Sequence, residues 1–297
     1  MRASVVAVLL LASLPACTGS GADSATDSVV DSGACGPTIP GTTTAYSVLW
    51  STDPDPVVAG EQAQFTEQIV DQNGCPVGDL QQNHERMVHN IFVSSDWTSF
   101  THTHQEDFTP ITADNLKTAT FSFPVTLPLS GRYFTMFDYA AEDKWLQTND
   151  AITLTGSPAQ AAAPDLTVND CVTVNGVTAC IAWTTQPVAT YEADWSMTIT
   201  LADGTPINDV TQYLGADAHC VIVDSTTTWG SHTHAWFPDM NSMTPGMQMP
   251  HLYDGSSPIP FVYTFPAAGT YKMWVQFVRS ADPTYVYDMP FVFTVAG

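Results

Sequence analysis

One succession of strand and turn signals runs through this chain twice, and that repetition restricts the fold to a pair of like modules built from strands. In the first pass, residues 62–70 alternate as a strand and Asp71-Gln72-Asn73-Gly74 turns the chain. In the second, residues 195–201 are followed by Ala202-Asp203-Gly204. Residues 219–224 match 89–94, and the strand at Phe261 to Phe265 matches Phe121 and Phe123. Gly269-Thr270-Tyr271 matches Gly131-Arg132-Tyr133, and residues 291–295 end the chain as 152–154 end the first copy. Nowhere does a helical period persist over an adequate length. Short strands between turn signals, about seven per copy, predict a β-sandwich. The expected fold class is all-β, with two tandem immunoglobulin-like or cupredoxin-like β-sandwich domains at 37–156 and 165–297. Ser157-Pro158-Ala159-Gln160-Ala161-Ala162-Ala163-Pro164 reads as the linker, 157–164.

Composition agrees. Charged residues make up 12% of the chain, against roughly 25% in an average soluble protein. Thr, Ser and Asn supply surface polarity instead, and Val, Tyr, Phe and Trp favour strands. The formal net charge of −23 repels phosphate backbones, so nucleic acid is not an expected partner.

The first residues predict export. Arg2 precedes an apolar run at 5–14, too short to span a bilayer, and small residues follow it. Leu14-Pro15-Ala16-Cys17 resembles the lipobox of bacterial lipoproteins. That resemblance implies a signal peptide at 1–16, lipid on the Cys17 sulfur, and a membrane anchor at the cell envelope, on the outer membrane. Residues 17–36 are Ser-, Thr-, Gly- and Asp-rich and read as a flexible acidic tether.

An oxidising compartment makes disulfides expected. Asn175-Gly176 signals a two-residue hairpin turn. Counting outward sets Val174 against Val177 and Cys171 against Cys180, where side chains approach closely. Cys35 with Cys75 is the natural second pair, and Cys220 is left over beside His219.

The chemistry-bearing feature is histidine. His102 stands thirteen positions after His89, and His232 stands thirteen after His219. Each is followed by a second imidazole two residues on, in His102-Thr103-His104 and His232-Thr233-His234. Alternate residues of a strand share a face, so each pair projects together. A strand, a loop and an antiparallel return would bring His89 beside His102 and His104, and His219 beside His232 and His234. Three imidazoles so gathered suit one metal ion per copy. The loops between have drifted while the histidines stay fixed. Further candidate ligands lie nearby: His84 and Met87 in the first copy, and Met240, Met243, Met247, Met249 and His251 in the second. Thioethers suit Cu(I), and imidazoles suit Cu(II) and zinc. Copper is therefore the expected ion, with zinc as the alternative.

Residues 219–223, His232-Thr233-His234 and the run Phe265-Pro266-Ala267-Ala268-Gly269-Thr270-Tyr271-Lys272-Met273-Trp274 resemble a family of exported bacterial β-sandwich domains. Those domains accompany copper-handling and other periplasmic metal proteins. The resemblance implies metal binding at the histidines and a metal-donor or acceptor protein as partner.

The expected function is a copper-binding exported lipoprotein that sequesters or transfers the ion. A zinc hydrolase would want a general base beside its triad. Glu106 and Asp107 follow His104, whereas Ala235-Trp236-Phe237 follows His234, which counts against shared catalysis. A surface interaction or adhesion module using Trp97, Trp145, Trp229 and Trp236 is the remaining alternative.

Overall fold

The computed structural model describes Cys35 and residues 45–235, 244–247, 249–255 and 257–297. The signal, Cys17, almost all of the tether, Trp236, Met240 and Met243 lie outside the described residues.

The first copy runs β1 (Tyr46–Asp53), β2 (Gln62–Asp71), β3 (Leu80–Gln81), β4 (Val88–Ser94), β5 (Phe100–Thr103), β6 (Thr120–Thr126), β7 (Gly131–Ala141) and β8 (Lys144–Leu154). One sheet has the order β1-β2-β6. The other has the order β3-β7-β4-β5, with β8 paired to β7. The second copy runs β9 (Cys171–Val174), β10 (Val177–Trp183), β11 (Glu192–Leu201), β12 (Val210–Thr211), β13 (His219–Asp224), β14 (Gly230–His234), β15 (Ile259–Thr264), β16 (Gly269–Arg279) and β17 (Asp282–Val295). Its sheets have the orders β15-β11-β10-β9 and β12-β16-β13-β14, the latter with β17 on β16. All strand pairings are antiparallel. The chain is thus all-β, two tandem sandwiches of one plan, with β9 added to the second.

Two departures from the strand pattern occur in the first copy. A 3-10 turn, Gln105–Asp107, follows β5, and a short helix α1 (Ala113–Thr118) precedes β6. Thr112 caps α1 by accepting from the Asn115 backbone N, and Ala119 ends it in the left-handed region. Six residues are too few to display a helical period. The β9–β10 hairpin turns at Asn175 and Gly176, both with positive φ, as its two-residue turn requires. Cys171 lies opposite Cys180 in its register and is bonded to it. Cys35 is bonded to Cys75. These disulfides belong to an oxidising compartment. Among the described residues no helix is long and apolar enough to cross a membrane.

Each sandwich has its own core. Phe65, Phe92, Phe121, Phe123 and Phe137 fill the first, and Trp195, Ile222, Phe261, Phe265 and Phe293 fill the second. Strand β4 is nevertheless buried at all seven positions. Alternation explains why. Phe92 points into the first core, while Ile91 and Val93 point the other way, into a third cluster with Phe134, Met136, Val221, Val223, Trp274 and Val292. That cluster draws on both sandwiches, so the β4 and β13 sheets pack face to face. Being buried on both faces, their central strands read as continuous apolar runs.

Hydrogen bonds cross the same interface in a reciprocal pattern. Arg132 of β7 donates to the Thr227 carbonyl at 2.7 Å. Lys272 of β16 donates to the Trp97 carbonyl at 2.8 Å. Trp97 and Thr227 occupy matching places in the two hairpin loops, and both have positive φ. The linker also packs on the first sandwich: Ser130 N donates to the Pro158 carbonyl, and Ala161 N to Asp96 Oδ2.

Gly230 marks the tightest approach. A Cβ there would lie 2.7 Å from Cε1 of Phe134, a buried ring of the other sandwich, and 3.0 Å from the Ile222 carbonyl. Gly230→Ala is expected to destabilise the fold by about 1–3 kcal/mol through overpacking. Chemical denaturation would measure this; a midpoint equal to wild type would mean that the interface has room for a methyl group beside Phe134.

Candidate metal centre

The interface face that carries the third cluster also carries the histidines. His89 sits where β4 begins and His219 where β13 begins, both fully buried. The β13–β14 register sets His219 against His234 and Val221 against His232. The β4–β5 ladder sets Ile91 against His102 and Asn90 against Thr103. In each hairpin the three imidazoles therefore leave the sheet on one side. Cys220, being out of phase, points into the second core against Met273, and burial pushes its thiol pKa well above the ordinary range.

In the first triad, His89 Nδ1 lies 3.0 Å from His102 Nε2 and 3.0 Å from His104 Nε2, and the last two lie 3.1 Å apart. The remaining nitrogen of each ring faces an oxygen. His89 Nε2 donates to the Asn83 carbonyl at 2.9 Å. His102 Nδ1 donates to Gln276 Oε1 at 2.6 Å, and His104 Nδ1 donates to Asp107 Oδ2 at 2.9 Å. Those oxygens fix the tautomers, so the three nitrogens that face one another carry lone pairs and no hydrogen. Neutral rings in that arrangement cannot satisfy each other; they can satisfy a cation. These nitrogens, Nδ1 of His89 and Nε2 of His102 and His104, would hold one metal ion.

The second triad follows the same scheme more loosely. His219 Nδ1 lies 3.0 Å from His232 Nε2. His219 Nε2 donates to the Tyr213 carbonyl at 2.8 Å, and His232 Nδ1 to Asp138 Oδ2 at 2.7 Å. His234 Nε2 is buried with no partner, the kind of orphaned atom a bound ion would satisfy. Ligand atoms of His219, His232 and His234 all lie within 4.8 Å of one another, as do those of His89, His102 and His232.

Burial holds His89, His102, His219 and His234 well below the ordinary imidazole pKa, with neighbouring imidazoles adding to it. His104 is also lowered by burial, although Asp107 opposes the shift. Burial pushes Asp107 itself up, but His104 and Arg86, 3.3 Å away, outweigh this and hold its carboxyl below the usual range. Uncharged imidazole is the form that coordinates.

The six histidines expected as ligands thus gather at one place, but on a shared interface rather than on two separate modules. The auxiliary candidates divide. His84 belongs to the first copy, yet its ring lies 3.6 Å from that of His234, with Nδ1 buried and without a partner. Burial and the nearby His232 lower its pKa to about 3. Met247 and Met249 line a cavity of about 210 Å³ together with His84, His232, His234 and Trp145. Met87 packs into the first core. His251 bonds to Asp217, whose other carboxylate oxygen accepts from the Leu252 and Tyr253 backbone.

The oxygens that orient the rings escaped the sequence reading. Asp138 and Gln276 face His89 and His219, respectively, across the register of β7 and β16, and each reaches the opposite sandwich. Gln276 is itself fixed by donating to Asp288 at 2.6 Å. The available signal was a polar side chain interrupting an apolar run at the same place in both copies, in Met136-Phe137-Asp138-Tyr139 and Trp274-Val275-Gln276-Phe277.

No curated protein matches this chain. Among solved structures, the chain is similar to FdeC, an Escherichia coli adhesin, at 15% identity and a TM-score of 0.25, covering 85% of this chain and 66% of that one. It is also similar to dimeric latent PorU from Porphyromonas gingivalis, at 12% identity and a TM-score of 0.26, covering 88% of this chain and 21% of that one. Fibronectin(III)-like modules of Clostridium thermocellum CbhA share 10% identity at a TM-score of 0.20, covering 84% and 94%. This chain spans less than two thirds of the first two. A family model matches residues 42–155 and again 172–297, and the chain belongs to that family, the Domain of unknown function DUF8832.

Proposed function

We propose that this chain is an exported metal-binding protein that takes up copper at its histidine triads, and that it stores the ion or passes it to another protein of the cell envelope. One observation carries the reading: three ring nitrogens within 3.1 Å of one another, each with its far nitrogen already engaged by an oxygen. Hydrogen bonding does not explain such a cluster, and coordination does. Copper is favoured over zinc because two thioethers, Met247 and Met249, line the cavity beside His232 and His234. Anchoring through lipid on Cys17 would hold the protein at the membrane surface, with the outer membrane as the proposed site.

The full chain, loaded separately with Cu(I), Cu(II) and zinc and counted by elemental analysis, is expected to retain up to two ions. The double variant His232→Ala/His234→Ala is expected to lose one. Unchanged stoichiometry in that variant would reject the assignment.

A further inference from the structure

We propose that the two triads form a single dinuclear centre, in which two metal ions lie side by side across the sandwich interface and share a small anionic bridging ligand such as hydroxide. The proposal rests on the metal-binding reading of the same histidines.

Spacing carries it first. Within a triad the ring centroids are 4.5 to 5.2 Å apart. Between triads the separations are nearly the same: His89 to His232 is 4.8 Å, His102 to His232 is 5.2 Å, and His89 to His219 is 6.0 Å. Ligand nitrogens of His89 and His102 lie within 4.8 Å of one on His232. Sets this close leave room for two ions at the roughly 3.5–4 Å separation of two-metal sites, where a single atom can bridge them.

Connectivity carries it second. Each triad has one ring oriented by the other sandwich, His102 by Gln276 and His232 by Asp138. Asn83 joins the two sets directly: its carbonyl accepts from His89, and its amide donates to the same Asp138 oxygen that holds His232. Neither triad has all of its orienting oxygens on its own module.

Charge identifies the bridging ligand. The six imidazoles are uncharged donors, and the nearest carboxylates, Asp107 and Asp138, bond to the far ring nitrogens rather than facing the ions. Two adjacent dications repel strongly in so buried a place, and an anion between them offsets that repulsion. A small ligand has a route in, because the cavity beside Met247 and Met249 is lined by His232 and His234.

Electron paramagnetic resonance of the full chain tests this. Samples with one and with two equivalents of Cu(II) are compared, with bound copper counted by elemental analysis. The expected result is that the second equivalent cuts the integrated signal per copper by at least half and brings in a half-field transition. Two bound coppers that integrate as two isolated spins, with no half-field signal, would overturn the dinuclear proposal and leave two separate sites. No copper retained after desalting would instead remove the metal-binding reading beneath it.

Discussion

Replacing Asp138 by Ala is expected to weaken ion binding at the second triad by about 10- to 100-fold, the usual effect of losing the partner that orients a ligating histidine. Asp138 lies on β7 of the first sandwich, whereas His232 lies on β14 of the second. Its Oδ2 accepts from His232 Nδ1 at 2.7 Å and so holds the proton away from Nε2, the nitrogen that faces His219. Without that acceptor the proton is free to move to Nε2, which would remove the lone pair from the triad. Asp138→Asn keeps an oxygen in place and is expected to recover most of the affinity. Competition against a chromophoric chelator gives the affinities, and thermal melts of the metal-free variants show whether folding is affected. Wild-type affinity in the Ala variant would exclude a positioning role. Failure of Asn to rescue would show that the charge, rather than the acceptor, is what matters.

The fold was legible because its signals are local and occur twice. The Asn175-Gly176 turn sets the register of Cys171 and Cys180 by counting, and alternation in β6 and β11 follows from the pleat. The grouping of His89 with His102 and His104 was also local, since one hairpin contains all three. The meeting of the two triads was not. It depends on which outer face of each sandwich is covered, and a strand buried on both sides reads only as apolar. Ile91, Val93, Val221 and Val223 would look the same in an isolated module with a thicker core. Asp138 and Gln276 were missed for the same reason, because their partners belong to the opposite module.

The two copies differ where their surroundings differ. The first triad is closed by the 3-10 turn that brings Asp107 to His104. The corresponding stretch of the second copy begins with Ala235, and the cavity with Met247 and Met249 adjoins His232 and His234 there.

Glu67→Gln is expected to stabilise the metal-free protein by on the order of a few kcal/mol at pH 8 and above, and to change little at pH 4.5. Glu67 is fully buried on β2, in the core of the first sandwich. Its Oε1 accepts from Asn90 Nδ2 at 3.1 Å, and its Oε2 has no partner. The second copy has Met197 and Cys220 in these places, both fully buried and apolar. Burial raises the Glu67 carboxyl to about 8; the Asn90 bond lowers it somewhat, and nearby Glu106 raises it further. The native state therefore keeps a proton that the unfolded chain releases near pH 4.5. Between those values the native state binds more protons, so stability falls as pH rises towards 8. Gln is uncharged, matches Glu in size and still presents an oxygen to Asn90, so it removes that pH dependence without opening a cavity. The buried histidines have the opposite sign, costing stability as pH falls below about 6.5, but they are common to both proteins and cancel in the comparison. Denaturant unfolding at several pH values, with chelator present, measures the difference. A gap between Gln variant and wild type that did not widen from pH 4.5 to 8 would show that Glu67 is solvated or paired in the folded protein.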